Sequence, residues 1–239
     1  MTIHVGVMVP SLNTVIEREW HDLAPAGVHV HLERIHVTQT EVSDDDGFAT
    51  LYGQVTGGMA QSLSRLEECR PDRIVLGMVS VFYGGAGGSK ALVEDLQRRT
   101  DIELIAASHA IVTALREMGV ERVGILNPYQ RLDDGQVERF FVESGFDLTG
   151  ISGLPDDSIR GIPRTPVEDL VACLLRLAET GPQAIVQVGA NLGIVDLLDP
   201  AEAWLDIPVL SSNATGLWAA LRSCGRSDQL RGGRLWRDH

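Results

Sequence analysis

The chain has 239 residues, enough for one large domain or for two lobes that share a cleft, which excludes a small disulfide-stapled domain. Its 33 acidic and 20 basic residues give a net charge of −13, and this field repels phosphate backbones and anionic membrane surfaces. We therefore expect no nucleic-acid partner and no membrane association, since no apolar run approaches the roughly 20 residues of a spanning helix.

Cysteine and histidine usage narrows the chemistry further. Cys69, Cys173 and Cys224 are widely spaced and form no CxxC or Cys/His cluster, so they predict neither a zinc site nor a disulfide framework. The histidines show no HExxH or comparable ligand spacing, and we expect no bound metal. Residues 1–20 lack the regions of a secretory signal, so a reducing, cytoplasmic location is the expectation.

Short β-branched runs alternate with amphipathic stretches of helical length, a pattern that predicts a parallel sheet covered by helices. The predicted strands, in chain order, are Ile3–Val9, Val28–Ile35, Arg73–Leu76, Glu103–Ala106, Arg122–Leu126, Asp147–Ile151, Ala184–Val188 and Pro208–Leu210. The predicted helices are Thr14–Leu23, Tyr52–Glu68, Lys90–Arg98, His109–Met118, Gly135–Ser144, Thr165–Glu179, Leu192–Leu198 and Ala214–Ser223.

The two halves of the chain repeat one another. Val5–Pro10 matches Val123–Pro128, each a predicted strand that ends in proline before a polar loop and a helix. Ile74–Gly77 likewise matches Ile185–Gly189, with a shift of one residue. Matching landmarks in the same order indicate a duplicated unit.

We therefore expect an α/β fold of two pseudo-symmetric, Rossmann-like lobes, each a four-stranded parallel sheet with flanking helices. The N-terminal lobe is expected to comprise residues 1–112 and 215–239, and the C-terminal lobe residues 113–214. Ligands of open parallel sheets bind beyond the carboxyl ends of the strands, so the active site is expected in the cleft between the lobes.

The loop after the first strand, Pro10–Thr14, leads directly into a helix. Free N–H groups and small polar side chains at a helix N-terminus form a cradle for a carboxylate, with Asn13 as the preferred side-chain donor. The alternative is plain helix capping, in which Thr14 and Glu17 form a capping box.

The segment after the third strand, Gly77–Tyr83, begins with a glycine that permits close backbone approach, and Ser80 could supply a hydroxyl. A buried apolar loop packed on the sheet is the alternative. The next stretch, Gly84–Lys90, resembles a phosphate loop, but Ser89 stands where that motif needs glycine and Ala91 where it needs serine or threonine. Nucleotide binding is therefore only a minor alternative.

Two further polar residues follow predicted strands. Tyr129 comes after Pro128, where its phenol could donate a hydrogen bond to a carboxylate, or could simply pack. His109 opens a helix, where the positive end of the dipole favours the neutral imidazole and suits a general base. A structural capping histidine is the alternative.

Four motifs carry a family resemblance that spans nearly the whole chain: VGVMVPSLNTVIE (5–17), GMVSVFYGG (77–85), VGILNPY (123–129) and PVLSSNATGLWAALR (208–222). They resemble the Asp/Glu racemase superfamily, and within it the branch of maleate isomerase and arylmalonate decarboxylase. The resemblance implies chemistry without a cofactor at a carbon next to a carboxylate, with the anion held by backbone and hydroxyl donors. In that family thiols supply the proton transfers or a covalent adduct.

The resemblance also implies that this chain has lost both thiols, because Gly77 and Gly189 stand at the matching positions. The decarboxylase branch has glycine at the first position as well, but keeps the second cysteine as proton donor. Met78 and Val79 stand where the decarboxylase has hydroxyl residues, which leaves their backbone amides as anion donors. Two glycines are also expected to vacate volume for a water or for a bulkier substrate.

We therefore expect a cofactor-independent lyase or isomerase that acts on a small carboxylate without a thiol, with Tyr129 and His109 as the catalytic candidates. The candidate substrate-binding residues are Pro10, Ser11, Asn13, Gly77, Met78, Val79, Ser80, Gly189, Ala190, Asn191 and Asn213. Two alternatives stay open: a carboxylate-binding protein without catalysis, and a hydrolase that uses a water in the vacated space. A homo-oligomer is also left open.

Overall fold

Two four-stranded parallel sheets form the centre of the computed structural model, which describes residues 2–39, 42, 45–129, 135–156 and 158–239. The strands within these residues are β1 Ile3–Pro10, β2 Val28–Ile35, β3 Arg73–Leu76, β4 Glu103–Ala106, β5 Arg122–Leu126, β6 Asp147–Ser152, β7 Ala184–Gln187 and β8 Val209–Ser211. The spatial order is β2-β1-β3-β4 in the first sheet and β6-β5-β7-β8 in the second. The predicted fold class is confirmed, and the two sheets have the same topology.

Helices cover the sheets, as the sequence pattern predicts. They are α1 Ile16–Leu23, α2 Asp45–Glu67, α3 Gly85–Gln97, α4 Ala107–Glu117, α5 Gln136–Glu143, α6 Val167–Ala178, α7 Val195–Leu205, α8 Ser212–Ser223 and α9 Arg234–Asp238, with 3₁₀ turns at Val79–Phe82 and Ile162–Arg164. None of the helices in the described part of the chain is long and apolar enough to cross a membrane.

Two helices begin five or more residues earlier than predicted. Helix α2 begins at Asp45, seven residues before the predicted start, and Asp46 in its first turn is an acidic residue of the kind that complements the helix dipole. Its glycines do not break it: a Cβ on Gly58 would lie 2.6 Å from Cγ2 of Ile35, so glycine lets the helix pack closely on β2. Helix α3 begins at Gly85, five residues early, directly after Gly84 in a left-handed conformation.

Helix α7 continues to Leu205 despite Pro200, which lies inside it. Proline removes only one intrahelical hydrogen bond, and tertiary contacts offset that loss. Glu202 is 2% exposed, and its carboxylate accepts the backbone N–H groups of Val209 at 2.9 Å and Arg234 at 2.7 Å. Burial of this turn therefore overrides the local signal that predicts an end at Leu198.

The chain crosses between the sheets twice. Helix α4 follows β4 of the first sheet and leads to β5 of the second, whereas α8 follows β8 of the second sheet and packs against α1, α4 and β3 of the first. The carboxyl ends of β1 and β3 thus face those of β5 and β7, and the loops that follow all four strands meet in one cleft.

A buried carboxylate joins the two halves beside this cleft. Glu19 of α1 is 9% exposed; its Oε1 accepts the N–H groups of Ile194 at 2.9 Å and Val195 at 3.0 Å, at the start of α7. Its Oε2 accepts a hydrogen bond from Nδ2 of Asn213 at 2.6 Å. Burial raises the pKa of Glu19, and these hydrogen bonds only partly oppose that shift.

A raised pKa in the folded state means that folding favours the protonated carboxyl, so Glu19 lowers stability as pH rises above its ordinary value of 4.5. We expect Glu19→Gln to gain stability relative to the wild type between pH 5 and pH 8, at up to about 1.4 kcal/mol per pH unit until the raised pKa is passed. Urea unfolding of the wild type and of Glu19→Gln, at pH 5 and at pH 8, measures this difference in the free energy of unfolding.

The matched control is Glu17→Gln on the same helix, where the side chain is 52% exposed and paired with Arg34 at 2.8 Å. It makes the same chemical change at an exposed position, so the difference between the two variants isolates the effect of burial. A Glu19→Gln variant that loses as much stability at pH 8 as at pH 5 would contradict the role of burial.

Candidate active site

A cavity of about 60 Å³ lies where the carboxyl ends of the central strands of both sheets meet. Loops after β1, β3, β5 and β7 contribute to its lining, and α2 and the segment after β6 close it. The described residues that line it are Pro10, Leu12, Asn13, Phe48, Leu51, Tyr52, Val55, Gly77, Met78, Tyr83, Tyr129, Ile159, Ala190 and Asn191. Of these, none is lysine, arginine or histidine.

One side of the cavity is apolar. Phe48, Leu51, Tyr52 and Val55 lie at helical spacing on one face of α2, and we call these four residues with Tyr83 the apolar wall. The ring centroid of Tyr83 lies 5.2 Å from that of Tyr52 and 5.7 Å from that of Phe48. Sequence reasoning did not assign these residues to the site, although the apolar pattern at positions 48, 51, 52 and 55 is the signal that could have found them.

The loop after β1 places Asn13 in the lining and caps α1 with it. Oδ1 of Asn13 accepts the N–H groups of Val15 and Ile16, both at 3.0 Å, so Asn13 rather than Thr14 supplies the cap. The carboxylate of Glu17, which a capping box would turn to the backbone, pairs with Arg34 instead. Because the oxygen of Asn13 is engaged, its Nδ2 amide is the group available to a ligand.

The other predicted residues of this loop differ in position. Pro10 lines the cavity, whereas Ser11 does not, and the Ser11 hydroxyl accepts the N–H of Val37 at 3.2 Å beyond the end of β2. Across the cleft, Oδ1 of Asn191 accepts the N–H of Thr14 at 2.9 Å. Asn191 therefore holds the first loop against the second half while it lines the cavity.

Asn213 lies behind the cavity and outside its lining. Its Nδ2 donates to the buried Glu19 and to the carbonyl of Ala190 at 3.0 Å. It thus supports Ala190, which does line the cavity, and its own side chain is committed to that contact.

The start of the Gly77–Tyr83 segment lines the cavity through Gly77 and Met78. A Cβ on Gly77 would lie 2.9 Å from Cδ1 of Ile16 and 3.1 Å from Cγ2 of Val7, so a side chain at this position would require its neighbours to shift. Val79 and Ser80 begin the 3₁₀ turn, and the positions of their side chains lie outside what the structure describes.

Tyr129 lines the cavity from the second half, with its ring centroid 6.4 Å from that of Phe48. Its side chain is buried, and burial raises the pKa of the phenol far above its usual range. The phenol is therefore protonated at neutral pH, and its O–H is available as a hydrogen-bond donor.

His109 does not line the cavity. It is the third residue of α4, and its Nε2 lies 3.0 Å from the hydroxyl of Ser89 on α3. Burial lowers its pKa, so the imidazole is neutral at pH 7.

The stretch that resembles a phosphate loop forms the start of α3, where side chains of α5 already occupy its N–H groups. The N–H of Gly84 donates to Gln136 at 3.0 Å, and that of Ala86 donates to the carboxylate of Glu143 at 2.9 Å. A Cβ on Gly85 would lie 2.1 Å from that carboxylate. These glycines thus let the start of α3 contact α5 across the cleft.

Gly189 lies directly against Tyr129. Its φ of +93° is in the left-handed region, and a Cβ would lie 2.8 Å from Cε2 of Tyr129 and 2.9 Å from Cγ of Pro128. The expectation that glycine leaves free volume here is wrong, because the tyrosine ring and the proline occupy that space. It is equally wrong at Gly77, where Ile16 and Val7 fill it.

All three cysteines are in described parts of the chain and lie outside the cavity lining. Cys69 is exposed after α2, and Cys224 follows α8. The buried Cys173 donates its thiol to the carbonyl of Gly153 at 3.3 Å. Nor does any group of three or more His, Cys, Asp or Glu side chains among the described residues have the geometry of a metal site.

Comparison with known proteins identifies the family. The family model described as arylmalonate decarboxylase matches residues 5–235. The chain belongs to the arylmalonate decarboxylase family. Among its relatives, the arylmalonate decarboxylase of Bordetella bronchiseptica is 27% identical over 161 residues, which cover 66% of this chain and 67% of that protein. The maleate isomerase of Nocardia farcinica is 26% identical over 232 residues, or 92% and 89% of the two chains.

Solved structures share the fold over the full length of the chain. A maleate cis-trans isomerase variant from Nocardia farcinica with a covalently bound succinylcysteine intermediate superimposes with a TM-score of 0.89 and 24% identity, covering 100% of both chains. A crystal structure of arylmalonate decarboxylase gives a TM-score of 0.80 and 23% identity, covering 99% of this chain and 100% of that one. The two-lobed architecture is therefore that of this family.

We expect Gly189→Ala to lower the free energy of unfolding by about 2–5 kcal/mol, from roughly 1–2 kcal/mol of left-handed backbone strain and about 1–3 kcal/mol of overpacking. Gly181→Ala is the matched control: its φ is +75°, but a Cβ there would have nothing within 4 Å. Gly181→Ala should therefore lower the free energy of unfolding only by the backbone strain. Urea unfolding of the two variants separates the cost of backbone strain from that of overpacking. Equal decreases in the free energy of unfolding would contradict the close contact between Gly189 and Tyr129.

Proposed function

We propose that this protein is a cofactor-independent lyase that removes one carboxylate from a small malonate with an apolar substituent, and that it does so without a cysteine. The observation that carries the proposal is the division of one cavity into an apolar wall and a polar side. A substituted malonate has the same two parts, an apolar group and carboxylates attached to one carbon.

The apolar wall favours a lyase over an isomerase of unsubstituted dicarboxylates. Maleate carries two carboxylates and no apolar group, so it would place a charged group against the aromatic rings of Phe48, Tyr52 and Tyr83. No cationic side chain lies among the described lining residues to neutralise a second carboxylate, which maleate keeps and a malonate loses as CO₂. A substituent that fills the wall and a single well-held carboxylate suit this lining better.

The polar side offers donors to the carboxylate that remains. In this proposal Nδ2 of Asn13 and the phenol O–H of Tyr129 donate to it, with backbone groups of Ala190 beside them. The carboxylate that leaves lies toward the apolar wall, where its charge is poorly solvated. Its carbon–carbon bond breaks, CO₂ departs, and the electron pair stays on the substrate as an enediolate, which the donors stabilise.

The proton that ends the reaction comes from Tyr129 in this scheme. The phenol O–H gives its proton to the carbon that lost CO₂, and water then restores the proton to the oxygen. The raised pKa keeps the phenol protonated until the much more basic enediolate forms. Gly189 supports a mechanism without a thiol, because Tyr129 and Pro128 occupy the space that a side chain would need.

A carboxylate-binding protein without catalysis is the second candidate. The observation in its favour is that the oxygens of Asn13 and Asn191 are engaged by backbone N–H groups, so few side-chain atoms remain for chemistry. The hydrolase alternative loses support, because the volume that its water would need is filled at both glycines.

Incubation in D₂O with phenylmalonate, alkylmalonates and maleate, followed by proton NMR, tests the reaction. We expect loss of CO₂ from substituted malonates with one deuterium placed on the reacting carbon. Tyr129→Phe should lower kcat/KM about a hundredfold, because it removes a donor to the developing charge. Tyr52→Phe, which removes a hydroxyl from the apolar wall, should have a much smaller effect.

Each other outcome overturns the proposal in a different way. Conversion of maleate to fumarate without loss of CO₂ from any malonate would make the protein an isomerase. Line broadening of a malonate without turnover would indicate a binding protein. Full activity of a folded Tyr129→Phe variant would exclude the assigned proton donor.

A further inference from the structure

We propose that His109 is a positioning residue, which holds one wall of the cavity through the hydroxyl of Ser89 and the carbonyl of Val81. The inference rests on the proposed function, because the wall belongs to the cavity in which that reaction would occur. It differs from both sequence-based interpretations of His109, since the ring neither reaches the cavity nor caps its own helix.

The carbonyl of Val81 is the anchor point. It lies in the 3₁₀ turn Val79–Phe82, between two residues that line the cavity, Met78 and Tyr83. It accepts the hydroxyl of Ser89 at 2.5 Å and that of Ser108 at 2.9 Å, and all three residues are fully buried. Two donors from α3 and α4 thus fix the turn from the side away from the cavity.

Counting protons assigns the role of the imidazole. Each serine hydroxyl has one proton, and in this proposal both protons are directed at the carbonyl of Val81, with the two hydroxyl oxygens 3.2 Å apart. The oxygen of Ser89 is then an acceptor for His109, whose Nε2 lies 3.0 Å away. His109 must therefore carry its proton on Nε2 in the neutral form, which the lowered pKa favours at pH 7.

This relay supplies Ser89 with a partner that orients its hydroxyl. A hydrogen bond donated by His109 occupies the oxygen of Ser89 on one side, which leaves the hydroxyl proton of Ser89 to the carbonyl of Val81. Loss of the donor should let the turn move, and with it Met78 and Tyr83. A displacement near 1 Å at a site can cost about a hundredfold in rate, so a smaller shift should cost about tenfold.

Three variants and one control test the relay. His109→Leu removes the donor, Ser89→Ala removes the relay, and His109→Gln keeps an N–H donor at the place of Nε2. The control is Ser62→Ala, which changes another fully buried serine, on α2, that accepts a hydrogen bond from Arg65 at 3.2 Å. The readouts are binding of phenylacetate, a carboxylate that cannot lose CO₂ by this route, and kcat/KM on a malonate that reacts.

We expect His109→Leu and Ser89→Ala to weaken phenylacetate binding and to lower kcat/KM, each about tenfold. His109→Gln should stay within about threefold of the wild type, and Ser62→Ala should change neither quantity. Equal losses in the leucine and glutamine variants would overturn the proposal, because a role in packing alone does not depend on a donor.

A second measurement needs no substrate. Nitrogen-15 NMR of the imidazole should show the Nε2–H tautomer in the wild type, with a proton signal that Ser89→Ala shifts. A ring protonated on Nδ1 would overturn the proposal even if every malonate reacts. Conversely, a protein that turns over no malonate but has the Nε2–H tautomer and loses phenylacetate binding in His109→Leu would refute the lyase and leave the positioning role intact.

Discussion

The contact between the ring of Tyr129 and the backbone of Gly189 is the constraint on which the cavity depends. The left-handed φ of Gly189 and the 2.8 Å between a Cβ there and the ring leave no room for a side chain. Tyr129 in its observed position and a thiol at residue 189 therefore exclude one another. The second half presents to the cavity a protonated phenol, the amide of Asn191, and the apolar residues Ile159 and Ala190.

Polar contacts across the cleft keep that arrangement in place. Glu19 binds the start of α7, Asn191 binds the loop before α1, and Glu143 binds the start of α3. Buried polar groups are costly unless paired, so each contact favours one relative position of the two halves. Most of the groups that set the shape of the cavity therefore lie outside its lining, as His109 does in our proposal.

The sequence predicts the fold well because its strands are short β-branched runs and its two halves repeat. Every predicted strand is within one residue of the structure at each end, and both sheets have one topology. The strand bounds and the shared topology set the positions of the loops that follow the strands. These loops place Asn13, Gly77, Tyr129 and Ala190 in one cavity. Strand pattern alone thus locates the cavity.

The rest of the cavity depends on tertiary contacts that the sequence pattern does not contain. The predicted helix begins only at Tyr52 and so leaves out Phe48 and Leu51 of the apolar wall, whereas α2 begins at Asp45 and packs closely on Ile35. The direction of a side chain is equally hidden: Asn213 and His109 follow strands as expected, yet both point to buried partners behind the cavity. The contact of Gly189 with Tyr129 joins loops 60 residues apart.

Turnover by a protein without cysteine tests the central claim most directly. A triple variant with Cys69→Ala, Cys173→Ala and Cys224→Ala would be compared with the wild type for loss of CO₂ from phenylmalonate in D₂O. We predict the same rate, within about threefold, and the same single deuterium on the product, because no thiol lies in the cavity lining. Loss of turnover in a variant that remains folded by circular dichroism would contradict a mechanism without a thiol.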